Sequence, residues 1–443
     1  MTTTRDRPST ARGVAARSTW AVVDQGLSSL TNFALTVLVA RSVSESAFGA
    51  FAIAILVYLA VLGVVRGIVA EPFAVRFSAV DESSRRSAAR CAAGAGLIAG
   101  AATGLVLLLI GAADDGDTAR VFLALGICMP GLVLQDMWRF IFVAEGRPER
   151  AAANDLVWAI VQLGAVSVLV GVGDPSVGIL ILAWGLSANI AAVLGCIQAG
   201  AVPELRAGLP WARRHLDLGG PFALDFGAQV GSTYVALFVI TAIVGLDAVA
   251  GIRGAQVLLG PVNVLYLGSR LVAVPEGARL AARGSRGVVR LSVAVALVLA
   301  AAAAVVGAVL LIIPDSFGTE LLGDTWDDAR GVMVPTIALM AANGVAIAAV
   351  NGLRSLAAAR QGLVARIALI PVIVGGSAVG AVLGGEEGGA VGLAVASGLA
   401  AAVWWVSFLR VARGFEPGDV RPLGQAAPDP AVEWVEDATA TDR

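Results

Sequence analysis

Long apolar stretches alternate with short polar loops along almost the whole chain. A helix that crosses a bilayer core needs about 20 apolar residues. Stretches of that kind fall at 20–40, 47–70, 91–113, 120–144, 155–173, 176–199, 219–245, 248–273, 291–313, 331–353, 363–384 and 388–410. They predict an all-α integral membrane protein with about 12 transmembrane helices. The polar segments divide it into a tail (1–19), a first helical half (20–199), a linker (200–218), a second half (219–410) and a tail (411–443). The last tail is rich in Pro, Ala and acid and is expected to be disordered. Within the linker, Pro203–Leu218 carries Trp211, Arg213 and Arg214 and is expected to form a short interfacial helix. No loop between spans is long enough for a domain; the longest follows Ile313 and runs to about Arg330. The first span holds Asn32 midway and no small-x-small cleavage site follows it, so it is expected to stay as a span.

Charge orients these spans. Of 31 basic residues, all Arg, 24 fall in the tails and in every second loop, 3 in the loops between, and 4 inside spans. Cytoplasmic loops carry the excess of basic residues, so both termini are expected in the cytoplasm and the protein in the plasma (inner) membrane. The opposite loops carry acids, as in Asp114-Asp115-Gly-Asp117 and Glu386-Glu387, and read as solvated charge.

Composition narrows the chemistry further. The chain has 443 residues, is 58% hydrophobic and only 14% charged, and has a net charge of -2; its mean hydropathy is +0.83. Soluble domains are about 25% charged. The charge balance points to no nucleic-acid partner. His215 is the single histidine, which excludes a multi-histidine metal site. Cys91, Cys128 and Cys196 all fall in apolar spans and read as small buried residues. No cofactor, metal or catalytic residue is expected. The 53 glycines fit membrane helices, where small residues let backbones approach.

Shifted by about 202 residues, the chain resembles itself: Asp24 falls by Asp225, Gly49 on Gly251, Arg66 near Arg270 and Pro72 near Pro275. With an offset near 215, Arg139 matches Arg354. These matches predict two pseudo-symmetric six-helix bundles in the same orientation, a parallel repeat of the kind transporters use.

An Arg or Asp at mid-bilayer costs about 2.5–3.5 kcal/mol on insertion scales. Asp24, Gln25, Ser28, Ser29 and Asn32 recur at helical spacing as one polar stripe. Arg66 lies in the second span, Gln135, Asp136 and Arg139 in the fourth, Asp225 in the seventh, and Arg253, Gln256, Asn263 and Arg270 in the eighth. One reading is structural: the arginines snorkel, the acids cap helix starts, and Asp136 neutralises Arg139 three residues on. The functional reading is a polar cavity between the halves whose guanidiniums suit phosphate oxygens.

Trp20-Ala-Val-Val-Asp24-Gln25-Gly26, Ala47-Phe48-Gly49, Gln135-Asp136-Met-Trp-Arg139-Phe, Ala144-Glu-Gly146-Arg147, Asn154-Asp155 and Gly254-Ala255-Gln256 through Gly260-Pro261-Val-Asn263 resemble the polysaccharide (O-antigen type) flippases. That family belongs to the multidrug/oligosaccharidyl-lipid/polysaccharide exporter superfamily, and the resemblance covers essentially all the spans. It implies a transporter, not an enzyme, that moves an undecaprenyl-diphosphate-linked oligosaccharide from inner to outer leaflet by alternating access, alongside polysaccharide assembly proteins. By that resemblance Arg66, Arg139, Arg253 and Arg270, with Gln25, Asn32, Gln135, Gln256 and Asn263, would line the substrate cavity. Asp24, Asp136 and Asp225 would pair with arginines or carry a coupling ion. Three alternatives stay open: an ion-coupled drug antiporter of the same superfamily, a membrane enzyme acting on lipid-linked sugars, and a scaffold in envelope assembly.

Overall fold

A computed structural model describes residues 20, 26–28, 30–32, 34–113, 115–244, 246–322 and 325–416. Asp24, Gln25, the tail before residue 20 and the expected disorder of the last tail lie outside the described residues. Among the described residues every regular element is a helix.

The helices are α1 (Gly26–Ala40), α2 (Glu45–Val65), α3 (Glu71–Phe77), α4 (Glu82–Ala112), α5 (Asp117–Ala144), α6 (Pro148–Val172), α7 (Val177–Ala199) and α8 (Leu205–Arg214). They continue with α9 (Leu216–Val244), α10 (Leu246–Leu258), α11 (Gly260–Ala281), α12 (Ser285–Ile312), α13 (Asp315–Leu322), α14 (Thr325–Gly331), α15 (Met333–Ser355) and α16 (Ala359–Gly414). Among the described residues nine helices are long and apolar enough to cross a membrane. Three further spans complete the set. α1 is the shorter apolar helix. The expected eighth span is α10 and α11, broken at Leu259. α16 is two helices joined at Gly384 and Gly385, where the backbone leaves helical geometry. The twelve-span fold thus stands, in an all-α membrane protein.

Three local features depart from the apolar pattern, each for a physical reason. α2 runs into α3 through a π-helical turn, Arg66–Ala70, in which the Glu71 N–H donates to the Arg66 carbonyl. Pro72 has no N–H to give the Ile68 carbonyl, and its ring crowds that carbonyl, so the wider turn absorbs the defect. α4 begins at Glu82, nine residues before the apolar run, because Asp81 caps it by accepting from the Ser84 N–H. The loop expected after Ile313 contains α13 and α14, tied by the Trp326 indole N–H donating to Asp315 at 2.9 Å.

The described chain forms two compact units, one up to Gly219 and one from Gly220. In the first, α5 is the core helix, buried along nearly its whole length between α4 and α7. Glycine makes that possible: a Cβ on Gly104 or Gly126 would meet the other residue's backbone carbonyl. In the second unit Tyr266, Leu299 and Met340 belong to one buried cluster. Leu369, Trp404 and Phe408 belong to another. The two arms of α16 touch through Gly376, Gly380, Gly388 and Gly392, again backbone on backbone. α8 docks on the first unit through Gly208, which rests on Gly94 and Ala95, with Trp211 buried. The outward faces stay apolar: Leu105 and Leu109 on α4, Leu297 and Val305 on α12, and Val379 and Val382 on α16 are all exposed. Such continuous apolar surface fits lipid rather than water.

Candidate functional site

In the first unit Arg66 and Arg139 each meet a buried carboxylate. Asp136 accepts both arms of the Arg66 fork, from Nε at 2.8 Å and Nη2 at 2.5 Å. The Arg66 guanidinium also lies over the Phe140 ring. Asp136 therefore pairs with an arginine outside its own helix. Arg139, 8% exposed, faces Asp155 of α6 with its Nε 3.3 Å from the carboxylate. Gln135 donates to Asp155 at 2.7 Å, and Asn154 donates to the Ala191 carbonyl at 2.9 Å. Side chains from α5 and α6 and a backbone carbonyl of α7 are thus stitched into one buried network, the arrangement in which a buried charge is tolerated. Asn32 is exposed on α1.

The second unit is built differently. Helices α9, α10, α11, α15 and α16 surround a cavity of about 430 Å³. Its polar lining comprises Gln229, Ser232, Thr233, Gln256, Asn263, Tyr266, Asn343, Asn351, Ser397 and three arginines, Arg270, Arg354 and Arg366. Leu339, Ile347, Ile373, Leu393 and Trp404 form an apolar wall. No acid lines it. Asp225 accepts from Arg354 Nη2 at 2.7 Å and from Arg366 Nε at 2.8 Å, so one buried carboxylate holds two lining arginines. Aromatic faces steady both guanidiniums: Arg354 lies 5.4 Å from the Phe222 ring centre and Arg366 4.8 Å from that of Trp404. Tyr266 donates its hydroxyl to the Met340 carbonyl, which fixes the ring at the cavity wall. Asn351 is 3% exposed and its side-chain amide nitrogen has no hydrogen-bond partner among the described residues. A buried donor of that kind costs free energy until something accepts from it.

The cavity gathers three of the residues expected from sequence, Gln256, Asn263 and Arg270. Asp225 lies behind it as an ion-pairing group. Arg66, Gln135, Asp136 and Arg139 lie in the first unit's network instead. The side chain of Arg253 lies outside the described residues, as do Asp24 and Gln25. Arg354 and Arg366 were counted with the loop arginines, yet both face the cavity; the match of Arg354 to Arg139 was the signal that Arg354 is intramembrane. Asn343 and Asn351 carried no signal beyond being amides at helical spacing.

No protein-family model and no curated protein matches the sequence. Solved structures match over nearly the whole chain. One is a multidrug resistance MATE family transporter of the MOP superfamily in an outward-facing conformation, with TM-score 0.78, 13% identity, and 91% of this chain and 96% of that one covered. A second is a MATE protein in complex with MaL6, with TM-score 0.77, 15% identity and the same coverage. A third is a MOP superfamily transporter from Pyrococcus furiosus Vc1, for which a binding pocket of reverse polarity suggests a different function (TM-score 0.73, 15% identity, 91% and 96% covered). At this identity the likeness establishes the fold that the chain shares with them: twelve helices in two bundles.

Proposed function

We propose that this chain is a membrane transporter working by alternating access, and that its second unit binds an anionic, oxygen-rich substrate. The observation that carries this is the cavity lined by Arg270, Arg354 and Arg366 and, among the described residues, by no acid. Guanidinium forks match phosphate oxygens, and the amides of Asn343, Asn351 and Gln256 suit sugar hydroxyls. The substrate that meets both demands is a polyprenyl-diphosphate-linked oligosaccharide. The sugar and diphosphate need a polar path while the prenyl tail stays in lipid, so the protein acts as a flippase for cell-surface polysaccharide assembly in the plasma membrane. With no nucleotide-binding motif on the chain, the drive comes from an ion gradient, membrane potential or product removal.

A second reading is ion-coupled antiport of small molecules. The multidrug transporter among the structural neighbours favours it, and so does the apolar wall of the cavity, with Trp404 and Ile373. A cationic drug, however, would face three arginines.

The test is a strain lacking the protein, in which undecaprenyl-diphosphate-linked glycan is expected to accumulate on the inner leaflet, assigned with an impermeant sugar-modifying reagent. Wild type should restore outer-leaflet glycan; Arg270→Ala and Asn351→Leu should not. Normal outer-leaflet glycan in the deletion strain, with raised drug sensitivity, would overturn the flippase and leave the antiporter.

A further inference from the structure

Far from the second unit's cavity in sequence, the first unit has an open pocket of about 680 Å³ between the first turns of α4 and the end of α7. Ser83, Arg86, Ser87 and Arg90 line it from α4, at spacings that put them on one helix face. Ser83 donates to Asp81 at 2.5 Å. Arg90 donates to Glu204 at 2.9 Å. Arg86 spends one Nη2 bond on the Gly200 carbonyl at 2.5 Å. A guanidinium has five N–H donors, so Arg86 retains most of its capacity. Two arginines line the pocket; Glu204 meets Arg90 and Asp81 meets Ser83, and Arg86 is the lining cation whose one side-chain bond goes to a neutral carbonyl.

The far wall is apolar. Gly200 ends α7 in the left-handed region with φ +59°, where a Cβ would stand 3.0 Å from the Arg86 Nη2. Ile197 and Val202, beside it, are each 71% exposed. Back along α7, Leu186, Ile190 and Val193 are exposed too. With Ile197 they recur at spacings of four, three and four, which makes one stripe running up to the basic pocket.

A basic pocket alone would take any phosphate. A basic pocket at the head of an exposed apolar stripe takes an amphiphile. We propose that this pocket seats the phosphate headgroup of an anionic phospholipid, with an acyl chain lying along the α7 stripe. Basic pockets between membrane helices at the bilayer surface bind phosphate headgroups in this way, and Arg86 supplies the fork. The site is separate from the transport cavity and does not depend on what that cavity carries.

The full-length protein in mild detergent, mixed with phosphatidylglycerol or phosphatidylcholine and examined by native mass spectrometry, tests this. Wild type should retain phosphatidylglycerol over phosphatidylcholine. Arg86→Gln should lower that retention about fivefold, the attraction of one arginine near an anionic surface. Val202→Glu removes no polar contact, so it keeps the fold while placing a repelling charge at the pocket rim; it should lower retention similarly. Equal retention by wild type and both variants would overturn the site. Inorganic phosphate that displaces phosphatidylglycerol only at large excess supports the lipid. Inorganic phosphate that binds as well as the lipid does would overturn the acyl contribution and leave a soluble phosphate site.

Discussion

Replacing Asp225 by Ala should be among the most damaging single changes in the second unit. The carboxylate is 3% exposed and holds Arg354 at 2.7 Å and Arg366 at 2.8 Å. With charge centres roughly 4 Å apart and an effective dielectric of about 20, each pair attracts by about 4 kcal/mol. Much of that repays the carboxylate's own desolvation. The asymmetry appears on removal: the arginines stay where they are, and water does not return to them. Breaking a buried pair from one side costs about 3–5 kcal/mol. Two arginines depend on this single acid, so Asp225→Ala should lie toward the upper end of that range. Arg366→Leu leaves the Asp225–Arg354 pair in place and removes one charge-assisted hydrogen bond, worth about 1.5–3 kcal/mol. Denaturant unfolding in detergent, followed by tryptophan fluorescence, reads both, since Trp404 lies against Arg366. The double variant closes a cycle, and contacting residues couple by about 0.5–3 kcal/mol. A loss below about 1 kcal/mol for Asp225→Ala, or a cycle that closes to zero, would refute the claim that this carboxylate anchors the cavity arginines.

Gly380→Leu should prevent the two arms of α16 from pairing, because any Cβ there runs into the Gly388 carbonyl, a backbone atom that cannot swing away; loss of monodisperse protein on size exclusion checks this, with Gly398→Leu, where the space is open, as the tolerated control. Asp81→Ala should cost about 0.5–2 kcal/mol through the lost helix cap, read as a lower thermal midpoint in detergent. Hydrogen bonds from Ser83 and Ser84 hold the Asp81 carboxyl down at about 2. A depressed carboxylate stabilises fully above its unfolded value, ~3.9, and loses that contribution as pH falls through the folded value, so wild type and Asp81→Ala should differ at neutral pH and converge near pH 2.

The spans were legible because a bilayer demands a long apolar run, and nothing else in a sequence looks like one. Their ends were not, because a helix does not stop where the hydrocarbon does: α4 starts at Glu82 and passes Arg85, Arg86 and Arg90 before its apolar part begins. The same effect hid two cavity residues. Arg354 flanks its apolar window and Arg366 sits in the first turn of its own, so both read as loop charges, although α15 and α16 carry both into the protein. The break between α10 and α11 was marked by Gly260-Pro261, but an apolar run on both sides read through it. Ion-pair partners were the least legible. Asp136 has Arg139 three residues away on the same helix, yet it accepts the Arg66 fork from α2's end. Spacing along one helix says which groups could meet; packing between helices decides which do.

The contrast between the units gives the cavity its meaning. Arg139 and Arg354 are the pair the sequence offset of 215 matches, and both are buried and paired. Arg139 is met by Asp155, one helix on in the first unit. The position corresponding to Asp155, at the same offset, is Ile370, which cannot accept a proton or a charge. Arg354 must therefore turn to Asp225, and there it competes with Arg366 for the same carboxylate. Within the described clusters, the first unit sets two acids, Asp136 and Asp155, against two arginines. The second sets one acid against Arg354 and Arg366, with Arg270 on the same cavity. At the same offset Asp136 corresponds to Asn351, and Arg366 to Ala151, so the second unit has fewer acids and a further arginine at the matched positions; on the function proposed above, that is what makes room for an anion. An incoming diphosphate would supply the negative charge that Ile370 does not, and its arrival would be felt at Asp225, which already shares itself between two cations.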